Sequence, residues 1–505
     1  MVLAKTHAQE RNRKDIAKGA GANLAGFVLR LGARVPFLFV AGRLYGAESF
    51  GRYVFAVTYV ETLAFVCIFG FKSSIFKFLS PAISGGKHRL SADIFLHALL
   101  FCLMLAGFAV GLSYAGAGVL PHIFPADMAD FAVKMSPAIL LYTGAELFLS
   151  FTRGFRKMRY EVMVRSFVEP YSLLVLALLF YVVGWHYYGL LVAYLIMSVL
   201  SFAIAALAAL RLLAPGLSGF RFSPSLLKKL IYHSAPTALH DILNFSLQRL
   251  DVYLLSALAD ARSVGIYGMA LQIATSVKKI RQSFDPILNP VMASTYNAHG
   301  AKAAAREMAR VSSWIALIQC LVISVLFVYG DALMSAFGPA FVSGGLVLFL
   351  IVLADLINGT VGISELLLIL RKPGLNPVIG TVMFVFHLVL SFILIGRFGA
   401  IGAALSVLVT FSLMSLTRLL SVRLLCEIYP LEVQIIRPIL AGSLTALGLY
   451  AFADMIGPDH VSAHIAGIFV AVIFYGGLIY GFSSPDERLA FRHMAKRRVY
   501  GKREK

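Results

Sequence analysis

Fourteen stretches of this chain are apolar over about the length a helix needs to cross a bilayer. About 20 such residues span the ~30 Å hydrocarbon layer. Backbone polar groups there must be satisfied internally, which leaves helices or closed barrels. Barrel strands would be ~10-residue alternating segments, so run length selects helices. The expected spans lie near residues 19–41, 51–71, 92–118, 128–151, 166–184, 188–210, 228–258, 263–292, 311–330, 341–370, 375–396, 399–421, 435–456 and 461–482. The first is too long for a signal segment and no small-residue cleavage site comes after it, so it is expected to stay.

Composition agrees. Of 505 residues 59% are apolar and 14% charged, with a mean hydropathy of +0.82, whereas soluble domains are roughly half apolar and a quarter charged. A net charge of +20 could suggest nucleic acid, but its placement argues for a membrane. With the N-terminus inside, inward segments carry Lys5, Arg11, Arg13, Lys14 and Lys18, the RGFRKMRY loop with Arg165, Lys228, Lys229, Arg418 and the tail from Arg488. Outward loops carry only Arg43, Arg52, Arg262 and Arg397. Such asymmetry places both ends in the cytoplasm, with some attraction to anionic lipid headgroups. Cys67, Cys102, Cys320 and Cys426 lie apart in apolar segments. They read as small buried hydrophobes, with neither disulfide nor metal indicated.

One short phrase occurs twice. Residues 47–56 read AESFGRYVFA and residues 261–270 read ARSVGIYGMA, with Ala, Ser, Gly, Tyr and Ala at matching places. Both sit where an odd-numbered span turns outside the membrane into the next. YYGLLVAYL (187–195) and RFGAIGAAL (397–405) repeat at a similar offset. An even number of spans separates the copies, so the repeat is parallel. The fold expected is all-α: a basic N-terminus (1–18), an N-lobe of six helices (19–212), a Gly/Pro/Ser-rich linker (213–226), a C-lobe of six (227–426), two extra helices (435–482) and a basic tail (483–505). Paired halves of this kind commonly hold substrate between them near the midplane.

Polar residues form a seam. Asn23, Gly26, Arg30 and Arg34 share one face of the first span. At ~1.5 Å per residue Arg30 lies about 16 Å from the cytoplasmic end of that span. An arginine there costs roughly 2.5–3.5 kcal/mol on insertion scales. The repeat places Thr237, His240, Asn244 and Gln248 at the equivalent positions of the seventh span, where Asp241, Arg249 and Asp251 add charge. Lys278, Lys279 and Arg281 lie on the eighth, and Asp355, Asn358, Gly362 and Glu365 share a face of the tenth. Glu61, Lys134, Glu146 and Glu169 complete the set. Plainer roles compete. Arg30 and Arg34 could bind Glu61 as structural glue, the lysines could snorkel to the interface, Asp241, Arg249 and Asp251 could satisfy one another, and His240 could be a packing residue.

Clustered mid-membrane cations favour an anionic cargo, because the guanidinium fork fits phosphate oxygens and stays charged. The candidate headgroup-binding residues are Arg30, Arg34, Asn244, Gln248, Arg249, Lys278, Lys279 and Arg281. Glu61, Asp241, Asp251, Asp355 and Glu365 are candidates for ion coupling or gating, with H+ or Na+ as the ion. No cofactor is expected. PAISGGKHR lacks the leading glycine of a phosphate loop, so the energy would come from a gradient, the membrane potential or later consumption of the product.

GRLYGAESFGRYVFAVTYVETL, SAPTALHDILNFSLQRLDVYLLSALADARSVGIYGMALQI with DPILNPVMAS, FGPAFVSGGLVLFLIVLADLING and RFGAIGAALSVLVTFSLMSL occur in this order along the chain. Together, over about residues 15–425, they resemble the polysaccharide transporters of the multidrug/oligosaccharidyl-lipid/polysaccharide exporter superfamily. The resemblance implies two six-helix lobes, alternating access, and a glycan on an isoprenoid diphosphate carried out of the cytoplasmic leaflet. It also implies a place in the bacterial inner membrane serving exopolysaccharide or lipopolysaccharide synthesis, with a glycan polymerase and export machinery as partners and no nucleic acid. Related lipid II flippases use cavity arginines near the start of the chain, where Arg30 and Arg34 stand. A drug/cation antiporter of the same superfamily is the main alternative, though such proteins usually have twelve spans and acidic cavities. A lipid-linked glycan ligase or polymerase would need a large outward loop, and every outward loop here is short, which argues against an enzyme.

Overall fold

In a computed structural model the described residues are 26, 28–217, 220, 222–372, 374–426, 435–456 and 461–482. The basic segment 1–18, Asn23 and the tail 483–505 lie outside them. The described elements are all helical, with no strand among the described residues. Among the described residues eight helices are long and apolar enough to cross a membrane, or up to ten if each bent pair counts as one span. The sequence leads one to expect fourteen. Three of the eight are 41, 47 and 50 residues long, about twice what one crossing needs, the last being Leu375–Leu424. The latter is broken at Gly399, whose φ of 53° and ψ of −128° suit a residue without a Cβ. The helices Pro224–Leu258 and Ala261–Gln282 are not among the eight, and they carry much of the polar seam.

Packing divides the chain into two compact units, 1–268 with 336–340, and 269–335 with 341–505. The division falls inside the helix Ala261–Gln282 rather than in the linker. The helix Gly189–Leu217 runs on past Pro215 into that linker. In the first unit Phe71, Leu79, Phe95, Phe151 and Leu230 are almost wholly buried in one core. In the second, the helices Ile436–Ile456 and Val461–Phe482 dock on the part of Asp285–Ala336 that follows its break at Gly300. Ser324 donates to the Gly442 carbonyl at 2.7 Å and Tyr475 to the Leu317 carbonyl at 2.8 Å. Lipid tails are as apolar as leucine, so helices in a membrane associate through close packing and such hydrogen bonds. Outer faces stay apolar, with Ile473 75% and Phe469 68% exposed.

The repeated phrase has a structural meaning within the first unit. A Cβ on Gly51 would lie 1.7 Å from the Ala261 carbonyl oxygen, and one on Gly265 would lie 2.0 Å from that of Ala47. Gly51 and Gly265 hold the same place in the two copies, as do Ala47 and Ala261. The contact is therefore reciprocal, as between partners related by a twofold axis. Val54 and Gly268, another equivalent pair, touch each other, with the Val54 methyls 2.8 and 2.9 Å from the point a Gly268 Cβ would occupy. The helices Gly46–Ile68 and Ala261–Gln282 thus meet backbone to backbone at their outer ends. Gly51→Ala is expected to cost at least the ~1–3 kcal/mol of overpacking, read as a lower thermal midpoint in detergent.

Outside the spans, Asp260 caps the helix Ala261–Gln282, its Oδ1 accepting the Ser263 N–H at 2.9 Å. Hydrogen bonding to Ser263 holds the Asp260 carboxyl below the usual aspartate range. A depressed carboxyl stabilises the fold above its unfolded pKa, and that stability is lost as pH falls through the folded value. The parent should therefore exceed Asp260→Asn in thermal midpoint at pH 7, with the gap closing as pH falls through the depressed folded value.

Candidate polar site

Arg30 and Arg34 are both half-buried on the helix that opens the described chain. Arg30 donates to Ser166 Oγ at 3.5 Å and lies within electrostatic reach of Glu169, Glu161 and Arg165. Arg34 has Arg30, Glu61 and Arg249 as charged neighbours. Arg249 and the stripe of Arg30 and Arg34 therefore come together within the first unit. Arg249 donates to Glu61 Oε2 at 2.7 Å and stacks over Phe245 at 5.5 Å.

A second cluster continues the first inward. Arg165 pairs with Glu146, and with Glu169 at 2.6 Å, while Lys72 reaches Glu146 at 3.2 Å. The Arg165 guanidinium stacks over Tyr142 at 5.1 Å. Between these groups lies a cavity of about 110 Å³, lined among others by Glu61, Tyr142, Arg165, Glu169, Tyr194 and Ser198. It is roomy and polar enough for several waters.

The local chain explains Arg165. Residues Val164–Val168 form a π-helical turn between the α-helices Arg159–Met163 and Glu169–Val182. Pro170 has no N–H to give the Ser166 carbonyl four residues back, and its ring crowds that oxygen. A π-turn absorbs the misfit, as such turns often do near functional sites.

In the second unit, Lys278 and Arg281 lie within electrostatic reach of Asp355, which is 7% exposed. Arg418 binds Glu365 at 3.0 Å and has Arg281 as a second charged neighbour. Asn376 donates to the same Glu365 at 2.9 Å. The amide of Gln319 is wholly buried with no hydrogen-bond partner among the described residues, 3.1 Å from where a Gly359 Cβ would stand. Lys279 is exposed and turns to Gln282 at 2.7 Å.

Of the other candidates, Asp251 is 5% exposed and accepts the Tyr267 hydroxyl at 2.6 Å. Asp241 is half-buried and Gln248 exposed on the helix Pro224–Leu258. The side chains of His240 and Asn244 lie outside the described residues. Cys67, Cys102 and Cys320 are free and buried, and no group of residues suited to a metal occurs among the described residues.

Sequence reasoning passes over Arg165, Lys72 and Arg418 as topology charges, and misses Gln319 and Ser166. The available signal is the set of glutamates in apolar helices, Glu146, Glu169 and Glu365, each of which needs a cation. Glu61→Gln should cost roughly 1–3 kcal/mol by leaving the half-buried Arg249 without its carboxylate. The swap Glu61→Arg with Arg249→Glu should recover at least half of that in a thermal melt.

A family model described as polysaccharide biosynthesis protein matches residues 16–295. Among solved structures, the lipid II flippase MurJ in an inward closed conformation superposes with a TM-score of 0.74 at 14% identity, over 91% of this chain and 98% of MurJ. An inward-facing multidrug resistance transporter of the MATE family gives 0.61 at 12% identity, over 84% of this chain and 99% of that one. A superfamily member from Pyrococcus furiosus, described as having a binding pocket of reverse polarity, gives 0.54 at 13%, over 82% and 96%. No curated protein sequence matches. Identities this low establish a shared fold and nothing of what is carried. With the family model matching more than half of its length, the chain belongs to the polysaccharide biosynthesis protein family, on the fold of the multidrug/oligosaccharidyl-lipid/polysaccharide exporter superfamily.

Proposed function

We propose that the protein is a flippase that moves an isoprenoid-diphosphate-linked oligosaccharide or polysaccharide repeat unit from the cytoplasmic to the outer leaflet by alternating access. One observation carries the anionic cargo. Among the groups described above, six cations (Arg30, Arg34, Lys72, Arg153, Arg165 and Arg249) stand with four carboxylates (Glu61, Glu146, Glu161 and Glu169). The balance of these groups is therefore positive. In a low-dielectric interior that surplus draws a diphosphate and opposes a cationic drug. The related folds fit either a lipid-linked cargo, as for MurJ, or drugs, as for the MATE transporter; the charge balance favours the former.

The proposed headgroup-binding residues are Arg30, Arg34, Asn244, Gln248 and Arg249, and, taken by themselves in the second unit, Lys278, Lys279 and Arg281. Moving two negative charges out of an inside-negative cell gains about 4.6 kcal/mol per 100 mV. A coupled H+ or Na+ would use Glu61, Asp241, Asp251, Asp355 or Glu365. The protein would lie in the bacterial inner membrane with both ends inside, handing its product to a glycan polymerase and export machinery.

The test is reconstitution. Proteoliposomes carrying a fluorescent isoprenoid-diphosphate oligosaccharide should equilibrate it between leaflets, as read by a membrane-impermeant quencher. Movement of a cationic dye with no movement of the glycolipid would favour the antiporter instead.

A further inference from the structure

We infer that the π-turn Val164–Val168, imposed by Pro170, positions Arg30 for its anion through the Ser166 hydroxyl. The inference rests on the anion site proposed above. Ser166 is 3% exposed, and its hydroxyl accepts a hydrogen bond from the Arg30 guanidinium at 3.5 Å. A Cβ on Gly26 would lie 3.0 Å from both Ser166 Oγ and a Val162 methyl. The first helix is thus seated directly on the turn, one helical turn from Arg30.

Register is the property that the turn controls. An α-helix advances about 100° per residue, so the one extra residue of a π-turn rotates the segment before it against the segment after it. Within Val164–Val168, Arg165 points to Glu146 and Glu169 while the adjacent Ser166 points to Arg30. Both contacts come from neighbouring residues on one irregular turn. If the turn relaxed to α-helix, the two could not keep both partners. The Arg165 pairs to Glu146 and Glu169 hold the turn from one side, and Ser166 steadies the guanidinium on the other. Ser166 and Pro170 are therefore positioning residues that act through Arg30 and do not touch the cargo.

The test is a double-mutant cycle on the purified full-length protein, with inorganic diphosphate as the probe and its dissociation constant read by calorimetry. Arg30→Ala should weaken binding about tenfold or more. Ser166→Ala and Pro170→Ala should each weaken it about three- to tenfold when Arg30 is present, and not at all in the Arg30→Ala background. Ser166→Thr, which keeps the hydroxyl, should bind like the parent. General damage to the fold would weaken both backgrounds alike, and that result would overturn the inference. So would parental affinity in both Ser166→Ala and Pro170→Ala. Parental affinity in Arg30→Ala would instead remove the anion site itself, so the two failures are distinct. Should Pro170→Ala fold poorly, the Ser166 pair carries the test alone.

Discussion

Replacing Arg30 and Arg34 together by Ala is expected to abolish glycolipid transport while leaving the protein at normal abundance in the membrane. A hydrogen bond to a charged group contributes about 1.5–3 kcal/mol. Losing two would cost roughly 3–6 kcal/mol, a fall of about 10²–10⁴ in binding, since each 1.4 kcal/mol is tenfold. Insertion should not suffer, because arginine at mid-membrane is itself unfavourable. Glu61, Glu161 and Glu169 keep their partners Arg249, Arg153 and Arg165 in the double variant. Transport in reconstituted vesicles and protein level by immunoblot check it. Lys at both positions should restore only part of the rate, because an ammonium lacks the planar fork.

Arg165→Met should act on stability instead. The Arg165 side chain is 17% exposed, between Glu146 at 7% and Glu169 at 20%. Removing it leaves the buried Glu146 with Lys72 and, at longer range, Arg153, and the half-buried Glu169 with Arg30 at longer range. Breaking one side of a buried pair typically costs about 3–5 kcal/mol. A much lower thermal midpoint in detergent is the expected reading. Adding Glu146→Gln and Glu169→Gln should recover much of it, since neutral amides need no counter-charge. A midpoint unchanged by Arg165→Met would mean that water in the adjoining cavity already solvates the carboxylates.

The fold was legible because membrane helices advertise themselves by apolar run length, and because the repeated phrase marks a real contact. Gly51 and Gly265 recur where two helices touch backbone to backbone, a demand that leaves a mark in sequence. In sequence the polar helices Pro224–Leu258 and Ala261–Gln282 read as spans, yet their charges lower their apolarity and neither is among the eight.

The site was legible only in part. Arg30, Arg34, Glu61 and Arg249 could be found as charges in apolar surroundings, and they do converge. Arg165 was hidden by its neighbours: after the RGFRKMRY loop it looks like one more cytoplasmic cation. Its burial depends on the π-turn, and a proline five residues later does not say which way a helix will rotate. Asp251 illustrates the converse. It accepts the Tyr267 hydroxyl, and a neutral phenol leaves no charge pattern to read in sequence. Glu365 meets Arg418 across a sequence distance that no local periodicity spans.

Depletion of the protein from living cells, with the lipid-linked glycan then mapped across the inner membrane, tests the transport assignment most directly. A membrane-impermeant glycosidase should reach the glycan in parent cells and fail to reach it in depleted ones, where intact glycolipid builds up on the cytoplasmic side. Glycolipid accumulating within the enzyme's reach would place the missing step after translocation and contradict a flippase.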